Sequence, residues 1–148
     1  MEKQLAPYAF LEALQHLRKL DWNKKLTIAT MPEFLALSAI HYGQVSHPDK
    51  PGVYVSRLAE ELMTSVSMVS KMLKILESKG WILRTIDPGS RRNTFVSLTE
   101  EGSRVYAEAC RQVEAVHEAV VERIGLETMH QFLTLSSGLA AAYEEALS

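Results

Sequence analysis

The sequence predicts a mainly helical α+β protein that carries one small antiparallel hairpin. Two short stretches with helical spacing, 57–62 and 65–80, are separated by a tight turn. Two runs rich in β-branched and aromatic residues, 81–87 and 94–98, follow them and are joined by a turn sequence. Longer stretches with apolar residues every three or four positions flank this block on both sides. This order is typical of a winged helix-turn-helix extended by long N- and C-terminal helices.

Composition places the chain among ordinary globular proteins. It has 148 residues, of which 47% are hydrophobic and 23% charged, enough for one domain with a core. No apolar run approaches the roughly 18 residues that a membrane span needs, and the N-terminus has no secretory pattern. The single cysteine, Cys110, excludes an internal disulfide and suits a reducing compartment, where we expect it to be a small core residue. We therefore expect a cytoplasmic protein.

The charge is distributed unevenly along the chain. The whole carries −2, which by itself argues against a nucleic-acid binder. Residues 53–98 contain seven basic and four acidic side chains, a net charge of +3, and the remainder carries −5. A basic segment in an acidic chain is expected where one face meets phosphate while the rest stays soluble.

Residues 4–29 predict one long helix, roughly 35 Å in length. Pro7 lies near its start, where a missing N–H costs little. Its apolar stripe needs a partner, either the chain's own C-terminal helices or a second copy. The residues of the stripe are Leu5, Tyr8, Ala9, Leu11, Leu14, Leu17 and Leu20.

Thr30 and Glu33 predict the start of a second helix, with Thr30 as N-cap, a proline in the first turn and an acid at the third position. This helix should run to Gly43 and be followed by a polar loop over 43–52. Val53–Val55 predicts a short β-strand. Ser56 should then cap the helix 57–62, which turns Leu58, Ala59 and Leu62 inward.

The next helix should begin at Ser65, its N-cap, and end at Gly80. Val69, Met72, Leu73 and Leu76 share one face and are expected in the core. The opposite face is short-chained and uncharged in its N-terminal half and basic beyond it. Serine contacts any base, methionine the thymine methyl and lysine guanine or phosphate, so this face suits the major groove. The candidate DNA contacts on it are Ser65, Ser67, Met68, Ser70, Lys71 and Lys74.

The hairpin predicts a basic tip. Pro88-Gly89 suits the centre of a type II turn between the strands 81–87 and 94–98. Arg91 and Arg92 should lie at or near the tip, either as a solvated basic turn or as a wing that contacts phosphate or the minor groove. Asp87 is expected to pair with one of these arginines and hold the tip in shape.

Two helices complete the chain. Thr99 should cap the first, which continues to about Ile124, where Gly125 breaks it. The second, 126–147, carries an apolar stripe formed by Phe132, Leu135, Leu139, Ala142, Tyr143 and Leu147.

The chain resembles the MarR (multiple-antibiotic-resistance regulator) family of bacterial transcription regulators. The likeness is sharpest in 58–62, in 65–82 and in 87–102. Three differences from the family pattern stand out. Met63 replaces a frequent glycine in the turn, which predicts a less tight turn, and Ser90 replaces a frequent aspartate, which removes a second salt bridge at the tip. The first helix has no cysteine, which argues against peroxide sensing of the kind found in some members.

The resemblance implies a homodimer that binds double-stranded DNA at a pseudo-palindromic operator and acts as a repressor. Residues 53–98 would form the DNA-binding part of a single domain over 1–148, and residues 4–43 and 99–147 the dimerisation part. It also implies release of DNA by a small aromatic ligand bound between these parts, although core packing is the simpler role for each of the candidate residues. The candidates are Trp22, Phe34, His41, Tyr42 and Val113.

The sequence contains none of the motifs that mark a catalytic or cofactor site. There is no glycine-rich phosphate loop, no Gly-x-Ser-x-Gly, no His-Glu-x-x-His and no paired cysteines, so we predict neither enzyme activity nor a cofactor. Two alternatives remain. One is a winged-helix module for protein contact, and the other is a metal-responsive regulator in which His41, His47, Glu114 and His117 converge, although no local ligand spacing indicates metal binding.

Overall fold

The computed structural model describes residues 7–148, which form six α-helices, a short 3₁₀ turn and a three-stranded sheet. The predicted fold class is confirmed. In chain order the elements are α1 Pro7–Arg18, the 3₁₀ turn Trp22–Lys24, α2 Met31–Ser46, β1 Val53–Tyr54, α3 Val55–Glu61, α4 Val66–Ser78, β2 Ile82–Asp87, β3 Ser90–Leu98, α5 Glu100–Ile124 and α6 Leu126–Leu147.

The prediction of one helix over 4–29 is wrong beyond Arg18, and its first residues, 4–6, lie outside the described part. The Asp21 carboxylate accepts a hydrogen bond from the Asn23 N–H at 3.2 Å and favours a local turn. Further on, Oε1 of Gln112 on α5 accepts from the Thr27 N–H at 2.8 Å and from the Ile28 N–H at 3.4 Å. Because a side chain of another helix satisfies these backbone donors, the segment is held in an irregular conformation.

The capping box of α2 is present as predicted. Thr30 Oγ1 accepts from the Glu33 N–H at 3.3 Å, and Glu33 Oε2 accepts from the Thr30 N–H at 2.9 Å. The helix continues to Ser46, three residues past Gly43, so the polar loop begins at His47. A side chain at position 43 would overlap Val53. Because Gly43 has none, the helix passes close to β1 at that point.

The predicted cap at Ser56 is wrong, whereas the cap at Ser65 is confirmed. Helix α3 begins at Val55 directly after β1, and Tyr54 stands at the N-cap without a side-chain bond. The pairing of Tyr54 with Phe95 of β3 sets where the strand ends and therefore where the helix starts. Ser65 Oγ accepts from the Met68 N–H at 3.1 Å and opens α4.

The turn between α3 and α4 contains the only non-glycine residue with positive φ in residues 7–148, Met63 at 54°. The Thr64 N–H donates to the Ala59 carbonyl at 3.0 Å, the bond that closes a Schellman motif around a left-handed residue. Methionine therefore adopts the conformation for which glycine is better suited, and the prediction of a less tight turn is wrong, because the closing hydrogen bond is formed.

The sheet has the order β1-β3-β2 and is antiparallel throughout. Strand β3 begins at Ser90, four residues before the predicted start at Thr94. The register pairs Ile86 with Thr94 but Asp87 with Ser90, so residues 91–93 form an irregularity in β3. The hairpin is therefore longer than the sequence predicted and contains both arginines.

The core lies between α2, α3, α4, the sheet and the first half of α5. Its most enclosed side chains are Leu26, Leu37, Ile40, Leu58, Leu73, Leu76, Val96 and Val105. Cys110 is half-buried against this core, as expected. By contrast, α6 contains no buried residue. Among the described residues, no helix is both long and apolar enough to cross a membrane.

Candidate nucleic-acid interface

Helix α4 presents the predicted reading face to solvent. Val69, Leu73 and Leu76 are buried, at 2%, 0% and 0% exposure, which fixes the rotation of the helix and turns the opposite face outward. On that outward face Met68 is 56% exposed, and Ser70 is half-buried. The other candidates, Ser65, Ser67, Lys71 and Lys74, are exposed.

Asp87 holds the hairpin turn, but not through an arginine. Its Oδ1 accepts from the Gly89 N–H at 2.9 Å, and its Oδ2 accepts from the Tyr54 hydroxyl at 2.7 Å. These hydrogen bonds, together with the nearby charge of Lys50, lower the pKa of Asp87 below its ordinary value. The predicted pairing with Arg91 or Arg92 is wrong, because Asp87 accepts from Tyr54 and Gly89 and neither arginine comes within 4.0 Å of it.

The turn itself also differs from the prediction. Gly89 lacks the positive φ that a type II turn needs at its third residue. The aspartate bond to the Gly89 N–H and the irregularity over 91–93 shape the tip instead. Asp87 thus has the supporting role predicted for it, with different partners.

The basic side chains of residues 53–98 divide into paired and unpaired groups. Arg57 pairs with Glu61 at 3.2 Å, Lys79 with Glu33 at 2.6 Å and Arg84 with Glu77 at 2.9 Å. The other four have no carboxylate within 4.0 Å among residues 7–148, and they are Lys71, Lys74, Arg91 and Arg92. These are the four cations that the sequence assigned to DNA, so the unneutralised positive charge lies on α4 and the hairpin.

A groove of about 250 Å³ separates α4 from the hairpin. Ser70 and Arg92, both candidates from the sequence, line it together with Val66, Arg84 and Asn93. Arg84 of β2, which lines the groove, pairs with Glu77 of α4, so an ion pair joins the hairpin to the helix. Helix, groove and hairpin therefore form one continuous surface.

The sequence reasoning missed two supporting residues, Tyr54 and Lys79, and a second role of the predicted capping residue Glu33. Tyr54 supports the hairpin turn, and its ring stacks on Phe95 at 4.5 Å between centroids. Glu33 caps α2 and also pairs with Lys79 at the end of α4. The Lys79 ammonium lies 4.5 Å from the centroid of the Trp81 ring. No local signal could have identified Tyr54 or Lys79, because their partners lie 33 and 46 residues away.

Glu33 is 8% exposed, and its pKa reflects competing influences. Burial raises the pKa, but hydrogen bonds from Lys79 and Thr30 and the charge of Lys79 together lower it below its ordinary value. The carboxylate is thus held ionised between α2 and α4, where it connects the two helices electrostatically.

The structure brings together some of the effector candidates and not others. Phe34 and His41 on α2 lie against Tyr106 of α5, at 6.0 and 4.7 Å between ring centroids, and Tyr42 meets His41 edge-on at 5.5 Å. Burial, followed by a hydrogen bond with Cys110, raises the pKa of Tyr106, which the sequence reasoning did not single out. Trp22 and Val113 are half-buried, and Trp22 takes no part in these ring contacts.

The four residues of the metal alternative do not form a ligand set in the protomer. Over residues 7–148, no group of three or more histidine, cysteine or acidic side chains could hold a metal ion.

Comparison with known proteins gives consistent matches. Residues 29–94 match the model of the MarR family. The chain is 30% identical over 114 residues to the transcriptional regulator HosA of Escherichia coli O111:H-, covering 77% of this chain and 79% of HosA. These descriptions are of transcriptional regulators and indicate no catalytic family.

Solved structures have the same fold. The S. aureus MepR–DNA complex is 19% identical, has a TM-score of 0.77, and the match covers 93% of this chain and 98% of MepR. CouR from Rhodococcus jostii RHA1, bound to p-coumaroyl-CoA, is 25% identical with a TM-score of 0.71, covering 91% of this chain and 92% of CouR.

Proposed function

The chain belongs to the MarR family of transcriptional regulators, and we propose that it is a homodimeric repressor whose binding to a pseudo-palindromic operator is controlled by a small molecule. The observation that carries the proposal is the separation of paired from unpaired cations. Lys71, Lys74, Arg91 and Arg92 are free to neutralise phosphate, whereas the other basic residues of 53–98 are held by carboxylates. Phosphate neutralisation by such residues supplies most of the non-specific affinity for DNA.

The proposed contacts follow from the exposure of each side chain. Helix α4 enters the major groove with Ser65, Ser67, Met68 and Ser70 near base edges. Lys71 and Lys74 reach guanine or phosphate from the next turn of the helix. Arg91 and Arg92 contact the backbone or the minor groove from the hairpin, and Asp87 keeps the hairpin turn in place.

The proposed dimer is supported by apolar surface on the terminal helices. Leu11, Leu14 and Leu17 of α1 are 53%, 42% and 53% exposed, and the stripe of α6 is exposed along its length. Phe10 stacks on Tyr143 at 4.6 Å, so α1 and α6 offer one surface. In this division residues 53–98 read DNA, and residues 4–43 and 99–147 provide the dimer. A two-fold dimer presents its two α4 helices about one duplex turn apart, on the order of 34 Å.

The proposed effector is a small aromatic molecule bound near α2. CouR is bound to p-coumaroyl-CoA in its structure, and the ring cluster of Phe34, His41 and Tyr42 supports an aromatic ligand near α2. Trp22 and Val113 complete the set proposed from the sequence. A ligand changes DNA affinity only through its different affinities for the two states of the dimer. The same proposal places the protein in the cytoplasm, without catalytic activity of its own.

The experiment is selection of bound duplexes from a random pool, followed by titration of the selected site. We expect Arg92→Ala and Lys71→Ala each to weaken binding by about tenfold to a hundredfold, with a salt dependence reduced by about one ion for a phosphate contact. Arg111→Ala is the matched control, because Arg111 is an exposed arginine on α5 held by Glu108. Failure to select any duplex, or equal behaviour of all three variants, would exclude this function and favour a protein-contact module.

A further inference from the structure

Most of the polar side chains that recognise base pairs are absent from helix α4. Over Val66–Ser78 the helix has no asparagine, glutamine, arginine or aspartate. Amides recognise adenine, arginine recognises guanine and carboxylates accept from cytosine, so these contacts cannot come from this helix. Its one acid, Glu77, is held by Arg84 at 2.9 Å. The Ser78 hydroxyl donates to the Ile75 carbonyl at 2.7 Å, which uses its proton within the helix.

Apolar side chains occupy much of the exposed surface of α4 instead. Met68 and Ile75 are 56% and 51% exposed. They are seven residues apart, which is nearly two helical turns, so they lie on one line along the helix with Lys71 between them. Their separation along the axis is about 10 Å, which corresponds to roughly three base-pair steps of a duplex.

The position of Met68 is fixed by the first turn of α4. Its N–H donates to Ser65 Oγ at 3.1 Å, the bond that caps the helix. Beside Met68 lies a largely apolar hollow of about 200 Å³ between α2 and α4, to which Pro32, Leu35 and Met72 also contribute. An apolar group that enters this space leaves water without losing a hydrogen bond, whereas a polar base edge would lose one. The hollow therefore favours a methyl group.

We propose that α4 selects its operator through the C5-methyl groups of pyrimidines, with Met68 and Ile75 each against one methyl and Lys71 at a guanine between them. The C5-methyl of thymine is the apolar group that a base pair presents in the major groove. 5-Methylcytosine carries a methyl at the same ring position and belongs to the same class of ligand. The inference rests on the proposed function and deepens it by naming the base chemistry that the surface recognises.

The expected contribution of each methyl group follows from its size. Burial of one methyl favours binding by about fourfold. Because a two-fold dimer meets each position of a pseudo-palindrome twice, removal of one methyl from both half-sites should weaken binding by about tenfold.

The first experiment replaces the thymines of the selected duplex by deoxyuridine, one symmetric pair at a time, which removes only the methyl group. We expect two positions in each half-site, about three base pairs apart, to weaken binding by about tenfold each. Cytosine at these positions should also weaken binding, and 5-methylcytosine should bind about tenfold more tightly than cytosine, since the two differ only in the methyl.

The second experiment assigns each methyl to a side chain. Met68→Ala should abolish the effect of deoxyuridine at one position and Ile75→Ala at the other, while Met68→Leu, which keeps an apolar side chain, should preserve it. Val45→Ala is the control, because Val45 is 64% exposed on α2 and lies outside α4. Thermal unfolding of each variant confirms that it is folded.

The outcomes separate this inference from the proposed function. If a duplex is selected but every deoxyuridine is without effect, or if both alanine variants keep the wild-type pattern, methyl recognition is refuted and the DNA-binding function stands. If no duplex is selected at all, the proposed function fails and this inference fails with it.

Discussion

The winged helix-turn-helix and the last helix differ in how their apolar residues are covered. Leu58, Leu73 and Val96 in the former are 1%, 0% and 0% exposed, while Leu135 and Leu147 of α6 are 72% and 82% exposed. The two regions have comparable apolar patterns in the sequence, yet the chain itself buries only the first. The winged helix-turn-helix thus has a complete core, whereas the α6 stripe needs another surface.

Helices α2 and α5 show where the boundary between these regions lies. Leu37 and Ile40 of α2 and Val105 and Ala109 of α5 are all buried with the winged helix-turn-helix. Beyond Ala109 burial on α5 fades, and its last residues are largely exposed. The transition from self-covered to uncovered surface therefore occurs within one continuous helix.

Substitutions in the exposed apolar surface of the terminal helices should have the largest effect on DNA affinity. Leu11→Glu combined with Leu14→Glu places two charges on the apolar face of α1, and desolvation of these charges opposes association. We expect monomers in sedimentation, and a loss of DNA affinity of about a hundredfold to ten-thousandfold because the two half-sites are no longer linked. Val45→Glu, at an exposed valine of α2, should leave both quantities unchanged. A double variant that remains dimeric would show that α1 lies outside the dimer surface.

Two leucine-to-alanine substitutions, one at a buried and one at an exposed position, compare how burial contributes to stability in the two regions. Leu73→Ala should cost about 2–5 kcal/mol of unfolding free energy at every protein concentration, because it leaves a cavity in a closed core. Leu135→Ala removes the same atoms from an exposed position and should act only through association, with a cost that depends on protein concentration. Urea denaturation at two concentrations separates the two cases. A concentration-independent loss for Leu135→Ala would contradict the assignment.

The Glu33–Lys79 pair tests the connection between α2 and α4. Because the folded pKa of Glu33 is lowered, its contribution is present above the ordinary value of 4.5 and is lost as the pH falls through the folded pKa. Glu33→Gln should cost about 1–3 kcal/mol at neutral pH, discounted toward the lower end by the partly exposed Lys79, and progressively less below about pH 4. Glu101→Gln, in an exposed pair with Arg104, should have a far smaller effect. Parallel denaturation profiles from pH 7 to about pH 3 would contradict the ion-pair account.

The smallest expected effect concerns the turn between α3 and α4. Met63→Gly should stabilise the protein by up to about 1 kcal/mol, since glycine adopts positive φ without a Cβ clash and Met63 is 86% exposed. Met68→Gly, within α4, should destabilise by about 1 kcal/mol. Thermal unfolding distinguishes the two by the sign of the shift. A lower melting temperature for Met63→Gly would mean that the methionine side chain makes contacts that outweigh its strain.

Features set by neighbouring residues were predictable from the sequence. Thr30, Ser65 and Thr99 each accept the backbone N–H three residues on, and the sequence located all three caps. Gly125 ends α5 with a φ of 89°, as expected of a helix breaker. The rotation of α4 followed from periodicity alone, which is why its exposed face matches the prediction.

Features set by distant residues were not predictable. The irregular segment before α2 depends on Gln112, about 85 residues away in the chain, and the role of Asp87 depends on Tyr54. The start of α3 depends on strand pairing with Phe95. Each is a tertiary contact that overrides a reasonable local preference, and a single sequence gives no indication of it.

The start of α5 is fixed rigidly to the segment that joins α4 to the hairpin. Gly102 lies so close to the Trp81 carbonyl that a side chain would overlap it, and Thr99 bonds to the Gly80 and Trp81 carbonyls at 2.6 and 3.0 Å. The start of α5 is thereby held against Gly80 and Trp81, which connect the end of α4 to the start of the hairpin. Helix α5 extends from this contact for 25 residues, about 37 Å. A tilt of α5 by about 5° about this point would displace its far end by about 3 Å, so a small rotation at one end of the helix corresponds to a large shift at the other.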